Sequence, residues 1–373
     1  MSQVFISGIG AVSPAGWGVP ALRAAMDAAV PLPTVYLAHP GSGRQFQFRG
    51  VPPAEPRPSF IAHPRLRRAS PITHYAAAAA LEAAGLLLST TPSTRFGLIF
   101  CLQSGPVQYA TRFFGEVVND PATASPLLFP ETVFSAPASH IAALLGTVPI
   151  SYTILGDPSA FLEGLAMGAS WLAENRVDAC LVVGAEEFNW LQAQAVWHFD
   201  HHAILGAGAG ALCLTTSAPL IREQDQDQDQ EHEQDGNRDR ALDLNPTPTP
   251  DPPPRAELTL ITDPITYSES TGMAAAAAQV RSQLPPATAD DLLVDGLGGT
   301  CQPGKAETAA WRDWPGTRLS PKRILGEGLM AAASWQCVLA ADAILSRRHS
   351  SATVSIVGFN QQALAARFAI PRQ

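Results

Sequence analysis

Three groups of side chains in this sequence have types and spacings that invite chemistry. The first is Ser159, in Leu155-Gly156-Asp157-Pro158-Ser159, directly before an apolar run. A serine hydroxyl attacks a carbonyl only when a positioned base takes its proton. The same residues also read as a helix start, with a polar cap and a proline in the first turn. The second group is His198, His201 and His202 around Phe199-Asp200. Their spacings suit a metal, yet no carboxylate falls at the right place for a further ligand, so a polar loop at a pocket mouth is expected. The third group is the five cysteines, Cys101, Cys180, Cys213, Cys301 and Cys337. They are odd in number and contain no C-x-x-C, so neither a disulfide framework nor a zinc site is expected. Four lie in apolar stretches and read as buried thiols, which fits a reducing, cytoplasmic location. No metal and no cofactor is expected, and His140 reads as a satisfied helix or interface histidine.

The elements that position these groups must come from a chain with a large core. Of 373 residues, 46% are hydrophobic and only 15% are charged, which suits a chain that hides surface against a partner. The net charge of -9 argues against a nucleic-acid partner, because phosphate binding needs a basic face. Much of the excess is local, running from Glu223 through Asp225, Asp227, Asp229, Glu231 and Glu233 to Asp235. The opening MSQVFISGIG lacks a basic region followed by an apolar one, so no signal peptide is expected. No apolar run is read as reaching the roughly 20 residues of a membrane helix. Residues 76–88 are too short and contain Glu82 and Gly85.

Strands are expected at 4–12, 96–102, 148–155, 177–184 and 209–215, with helices at 71–85, 107–118, 138–145 and 159–174. The continuous apolar run FGLIFCL at 96–102 is the pattern of a sheet covered on both faces. Residues 222–256 carry an Asp-Gln repeat and then a proline-rich end. They read as a disordered linker, either a spacer or a docking tail, because such sequence cannot bury enough apolar surface to order itself. Beyond it, strands are expected at 257–266, 292–295 and, last, 353–359, with helices at 273–284, 305–314 and 328–345. Two alternating series suggest a duplicated α/β architecture, with halves at 1–221 and 257–373.

In order along the chain, several segments resemble the β-ketoacyl-acyl-carrier-protein synthases. VFISGIGAVSP at 4–14 is similar to that family's opening V-x-V-T-G-x-G-x-V-S-P, and NRVDACLVVGAE at 175–186 to its G-x-A-D-x-x-x-A-G-G-A-E strand. Phe199-Asp200 with LGAGAGAL resembles its F-D…G-E-G-A-G segment, with Ala207 where Glu is usual. KAET, with Glu307, matches its D-x-x-E-x-x-A helix. SPKRILGEGLMAA, with Lys322, resembles S-x-K-S-x-x-G-H-x-x-A-A, and Gly358-Phe359-Asn360 a shortened G-F-G-G-x-N loop. The resemblance implies the α/β thiolase fold, two similar halves stacked as five α-β-α-β-α layers.

That family's chemistry needs a cysteine thiolate at a helix N-terminus and two histidines that stabilise an enolate oxygen. Counting back without gaps from Ala185-Glu186 puts the nucleophile position on Pro158, and a one-residue slip puts it on Ser159. Aligning Gly-Thr puts Gly298 at the first histidine, and Glu327 follows Gly326 at the second. A carboxylate about 4 Å from a developing enolate costs roughly 4 kcal/mol at an effective dielectric near 20. That is about a thousandfold in rate. The simpler role for Glu327 is a negative charge at the start of the helix that follows.

No catalytic residue is therefore expected. The resemblance implies a chain-length-factor-like subunit that pairs with an intact Cys-His-His ketosynthase, or with itself, and works with an acyl carrier protein. It also implies that strand 148–155 lies at the dimer centre. An acyltransferase or hydrolase using Ser159, and a stand-alone acyl-binding protein, remain open.

Overall fold

The structure is a computed structural model that describes residues 3–216, 255–359 and 362–371. The first half contains β1 (Phe5–Ser13), β2 (Gly16–Trp17), α1 (Val19–Ala28), β3 (Val35–Ala38), β4 (Gln45–Arg49) and α2 (Pro71–Thr90). It continues with β5 (Phe96–Leu102), α3 (Val107–Asn119), α4 (Ala136–Leu145), β6 (Ile150–Leu155) and α5 (Ala160–Ala173). Then come β7 (Ala179–Glu186), α6 (Trp190–Phe199), β8 (Leu205–Gly206) and β9 (Gly208–Thr215). The second half contains β10 (Ala256–Ile261), β11 (Ile265–Thr266), α7 (Met273–Ser282), β12 (Leu292–Val294) and α8 (Cys301–Ala310). It ends with β13 (Thr317–Leu319), α9 (Pro321–Leu325), α10 (Met330–Leu345), β14 (Ser351–Val357) and β15 (Gln362–Ala369).

The two halves repeat one topology. The first orders its main strands β6-β5-β7-β9-β1 and the second β13-β12-β14-β15-β10. Numbered within each half, both orders are third, second, fourth, fifth, first. The directions match as well. β5 runs parallel to β6 and β7 while β9 is antiparallel to its neighbours, and β12, β13, β14 and β15 repeat the pattern. A short antiparallel pairing of β1 with β10, at Phe5↔Glu257 and Ile6↔Ala256, joins the half-sheets.

Alternation along the buried strands builds five layers. Phe96, Leu98, Phe100 and Leu102 of β5 pack with α2 and α4, whereas Ile99 and Cys101 face α5 and α10. On the second half-sheet Val294, Val354 and Ile356 share that central core, while Leu293, Val357 and Ala363 pack on α7 and α8. The period of two in a strand thus feeds two cores at once. α10 is apolar almost all round and buried from Met330 to Ile344, as a helix between two sheets must be. Its Trp335 indole N–H donates to the carbonyls of Val12 and Ala209, both at 3.0 Å, pinning the central helix to the first half-sheet.

Several boundaries differ from the sequence reading. α2 is 20 residues and is long and apolar enough, by length and composition alone, to cross a membrane. Here it is a core helix. Glycines 8 and 10 of β1 admit its backbone so closely that an added Cβ would lie 2.0 Å from the carbonyl oxygens of Ala83 and Ala79. The expected strand 257–266 is two strands, β10 and β11, and the helix expected at 305–314 starts and stops earlier, as α8. Strand 353–359 is not the last, because β15 follows it and holds β14 and β10 together. The expected linker lies outside the described residues except for Arg255 and Ala256, and Ala256 opens β10.

Candidate functional site

β6 runs into a four-residue turn, Gly156 to Ser159, and then into α5. Asp157 does not cap the helix with its side chain. Its carboxylate accepts the Phe359 N–H at 2.9 Å, tying the turn to the closing loop. The Tyr267 hydroxyl donates to the carbonyls of Gly358 (2.7 Å) and Gln362 (3.2 Å), and the Gln362 amide donates to Glu163 on α5 at 3.0 Å. Asn360 lies outside the described residues. Pro158 is buried, and so is Ser159, with 0% of its surface exposed. The Ser159 Oγ caps nothing and has no hydrogen-bond partner among the described residues. Main-chain bonds close the helix start instead, with Ala160 N–H donating to Asp157 O at 2.8 Å. The side-chain cap read from the sequence is therefore corrected to a main-chain turn.

The second assembly surrounds the loop that follows β12. Gly298 has φ +91°, and an added Cβ would lie 2.3 Å from Cγ of Arg323. A Cβ at Gly299 would lie 2.2 Å from Oε2 of Glu327 and 2.7 Å from Cδ of Lys322. Neither position has room for a side chain as the loop stands. Lys322 and Glu327 form a buried ion pair, Nζ to Oε2 at 2.8 Å. The other Glu327 oxygen accepts the N–H of Leu329 at 2.9 Å. Leu329 has φ 50°, a conformation uncommon for leucine, and sits directly before α10. Glu327 thus serves the start of α10, as expected, and also neutralises Lys322.

Glu307 lies behind the same loop. It accepts the Gly296 N–H and the Ser355 hydroxyl, each at 2.8 Å, and Ser355 in turn accepts the Trp311 indole N–H at 2.9 Å. Burial, and then the neighbouring Asp295 carboxyl, push Glu307 up to about 8 against the pull of Lys322. Asp295 is also raised, chiefly by burial. Tyr267 is held above its ordinary value by burial and then by Asp157 and Glu307. Its phenol is fixed against the closing loop by the Gly358 and Gln362 carbonyls.

Asp200 joins these elements. One oxygen accepts the N–H of Cys301 at the start of α8 (2.6 Å), and the other that of His202 (2.9 Å). The adjacent Phe199 is 82% exposed. The His201 ring stacks on Trp197 at 4.0 Å, with Arg44 over the indole at 4.2 Å. Among the described residues, no three His, Cys, Asp or Glu side chains come together as a metal set. Asp295 and Tyr267 were missed by sequence reasoning and carry no local signal. One other missed feature does. Asn189 and Gln192 form a capping box at α6, legible as N-x-x-Q. Glu187 accepts the N–H groups of Ile72 and Gln108 at 2.9 Å each, anchoring the starts of α2 and α3.

No protein-family model matches the sequence, and no curated protein matches it either. Solved structures do. The chain is 18% identical to a chain of the ishigamide ketosynthase/chain length factor, with a TM-score of 0.71, covering 99% of this chain and 100% of that one. It is 15% identical to a β-ketoacyl synthase from Burkholderia phymatum STM815, with a TM-score of 0.71 and full coverage of both chains (100% and 100%). It is 13% identical to a chain of the ketosynthase ApeO in complex with its chain length factor ApeC from Xenorhabdus doucetiae. There the TM-score is 0.67, covering 99% of this chain and 98% of that one. The fold is the thiolase fold in which those proteins are built, through the described residues of both halves.

Proposed function

We propose that this chain is a non-condensing, chain-length-factor-like subunit. It pairs with an intact Cys-His-His ketosynthase and shapes the acyl tunnel during fatty-acid or polyketide synthesis of the polyene type. The observation that carries this reading is the buried Lys322–Glu327 pair beside Gly299. The resemblance assigns the second catalytic histidine to position 327, and a carboxylate there, already held by Lys322 and the Leu329 N–H, has no N–H to donate to the enolate that condensation forms. Pro158 offers no nucleophile. Ser159, the alternative, is sealed from solvent and, among the described residues, bonded to no base.

A surface supports the pairing. Among the described residues β6 has β5 on one side and no strand on the other. Tyr152 and Leu155 on it are about half exposed, at 53% and 50%. α3, the turn at Phe129–Thr132, α4 and β6 pack in succession, and Phe114, Leu127, Phe129 and Phe134 are exposed along them. An open apolar edge of this kind invites another chain, and it carries no lysine to block it. A stand-alone acyl-binding protein has no use for such an edge. The solved relatives described as a ketosynthase with its chain length factor support a partner of that class, and another describes a ketosynthase with its acyl-carrier protein. The reading includes a cytoplasmic location, an acyl carrier protein as the pair's substrate donor, and two halves at 1–221 and 257–373 joined by 222–256. Co-expression with candidate ketosynthases tests it, since a stable one-to-one complex is expected and a well-behaved monomer in every combination contradicts it.

A further inference from the structure

α3 is fastened to the body of the fold at its start. Of its 13 residues only Val107 is buried, while Phe114 and Val118 are 62% and 83% exposed on the face assigned to pairing. Farther along, the helix rests on the turn at Phe129–Thr132, with the Phe113 and Phe129 rings 5.5 Å apart. Its start is tied to the segment between β7 and α6. There Glu187 accepts the Gln108 N–H at 2.9 Å. The Asn189 amide donates to the carbonyl of Val107 (3.2 Å) and the hydroxyl of Thr111 (2.6 Å).

Glu187 is 0% exposed, and its second oxygen accepts the Ile72 N–H at 2.9 Å, so one carboxyl serves the starts of both α2 and α3. Helix starts favour an anion. Burial outweighs them here and pushes the carboxyl up to about 7. The titratable groups that face it are Tyr75 from α2, Tyr109 from α3 and the adjoining Glu186 on β7, and among the described residues no cation does. Release of α3 returns Glu187 to water and to the ordinary carboxylate range. The docked helix therefore holds the proton more tightly than the released one. Docking is strongest below pH 7 and weakens as pH climbs through that value.

We propose that Glu187 is a positioning residue for partner binding, one that fastens α3 and, on ionising, loosens that helix and the pairing face it carries; this rests on the pairing proposed above. Hydrogen exchange on the full chain alone tests the tie. Protection of the α3 amides, corrected for the intrinsic pH dependence of exchange, should fall roughly tenfold or more from pH 6 to pH 8.5. Glu187→Gln, which mimics the protonated carboxyl, should make that profile level. Asn189→Ala, which cuts the other tie, should lower protection at every pH and keep the slope. In sedimentation runs with a ketosynthase partner, affinity should weaken over the same window in the wild type and stay level in Glu187→Gln. Level α3 protection in the wild type, an unchanged slope in Glu187→Gln, or a complex whose affinity ignores pH overturns the proposal. Protection that falls as expected in a chain that joins no ketosynthase bears out the tie and contradicts the pairing instead.

Discussion

The ammonium of Lys322 lies 2.8 Å from the carboxylate of Glu327, both are buried, and the pair fills the space that any side chain at position 299 would need. Removing one partner leaves an unpaired buried charge. Lys322→Met is therefore expected to cost about 3–5 kcal/mol in urea unfolding. Replacing both, as Lys322→Met/Glu327→Leu, should recover most of that loss. A double variant less stable than the single one would show that the pair contributes more than mutual neutralisation.

Gly299 and Glu327 are coupled by contact. Gly299→Ala should destabilise the chain by displacing the Glu327 carboxylate, 2.2 Å from the new Cβ. Combined with Glu327→Ala, the same change should cost less, giving an interaction energy of roughly 0.5–3 kcal/mol. Strictly additive losses would mean that the loop moves away and that glycine is not needed there for space.

Stability should fall as pH rises through neutrality. Burial pushes Glu186 up to about 8, Glu187 to about 7 and Glu307 to about 8. The native state therefore holds more protons than the unfolded chain between the ordinary carboxylate range and pH 8. Stabilisation present below the unfolded pKa is lost as pH climbs through the native values. The urea midpoint should be lower at pH 8.5 than at pH 6, and Glu307→Gln should flatten the slope. A midpoint that is level or rises over this window would contradict the assigned directions.

The β6 edge gives a test that does not disturb the core. Tyr152→Arg and Leu155→Arg change half-exposed side chains, so folding should shift by no more than about 0.5 kcal/mol. Pairing with a ketosynthase should nevertheless be abolished in sedimentation runs. A complex that survives both changes would place the interface elsewhere.

Much of the scaffold was legible in the sequence because its signals are local. FGLIFCL became β5 residue for residue, and the Gly8 and Gly10 motif proved to be where α2 lies against β1. β15 was missed because its run, QALAARFA, interrupts its apolar residues with Arg367, which turns aside to pair with Asp291 at 3.2 Å. Lys322, Glu327 and Gly298 were picked out by motif order. Their mutual fit was not, because contacts between loops far apart in sequence leave no periodicity. Asp157 was read as part of a helix start for the same reason, since its partner Phe359 lies 202 residues away.

The most direct test of the account is condensation itself. The purified chain, a partner ketosynthase and the two together should each be assayed for product from acyl and malonyl groups on a carrier protein. The chain alone should form none. The pair should be active, and replacing the partner's nucleophilic cysteine with alanine should abolish all product. Turnover by the chain alone, or by the pair carrying the cysteine-less partner, would contradict the account, because this subunit would then hold a working centre of its own.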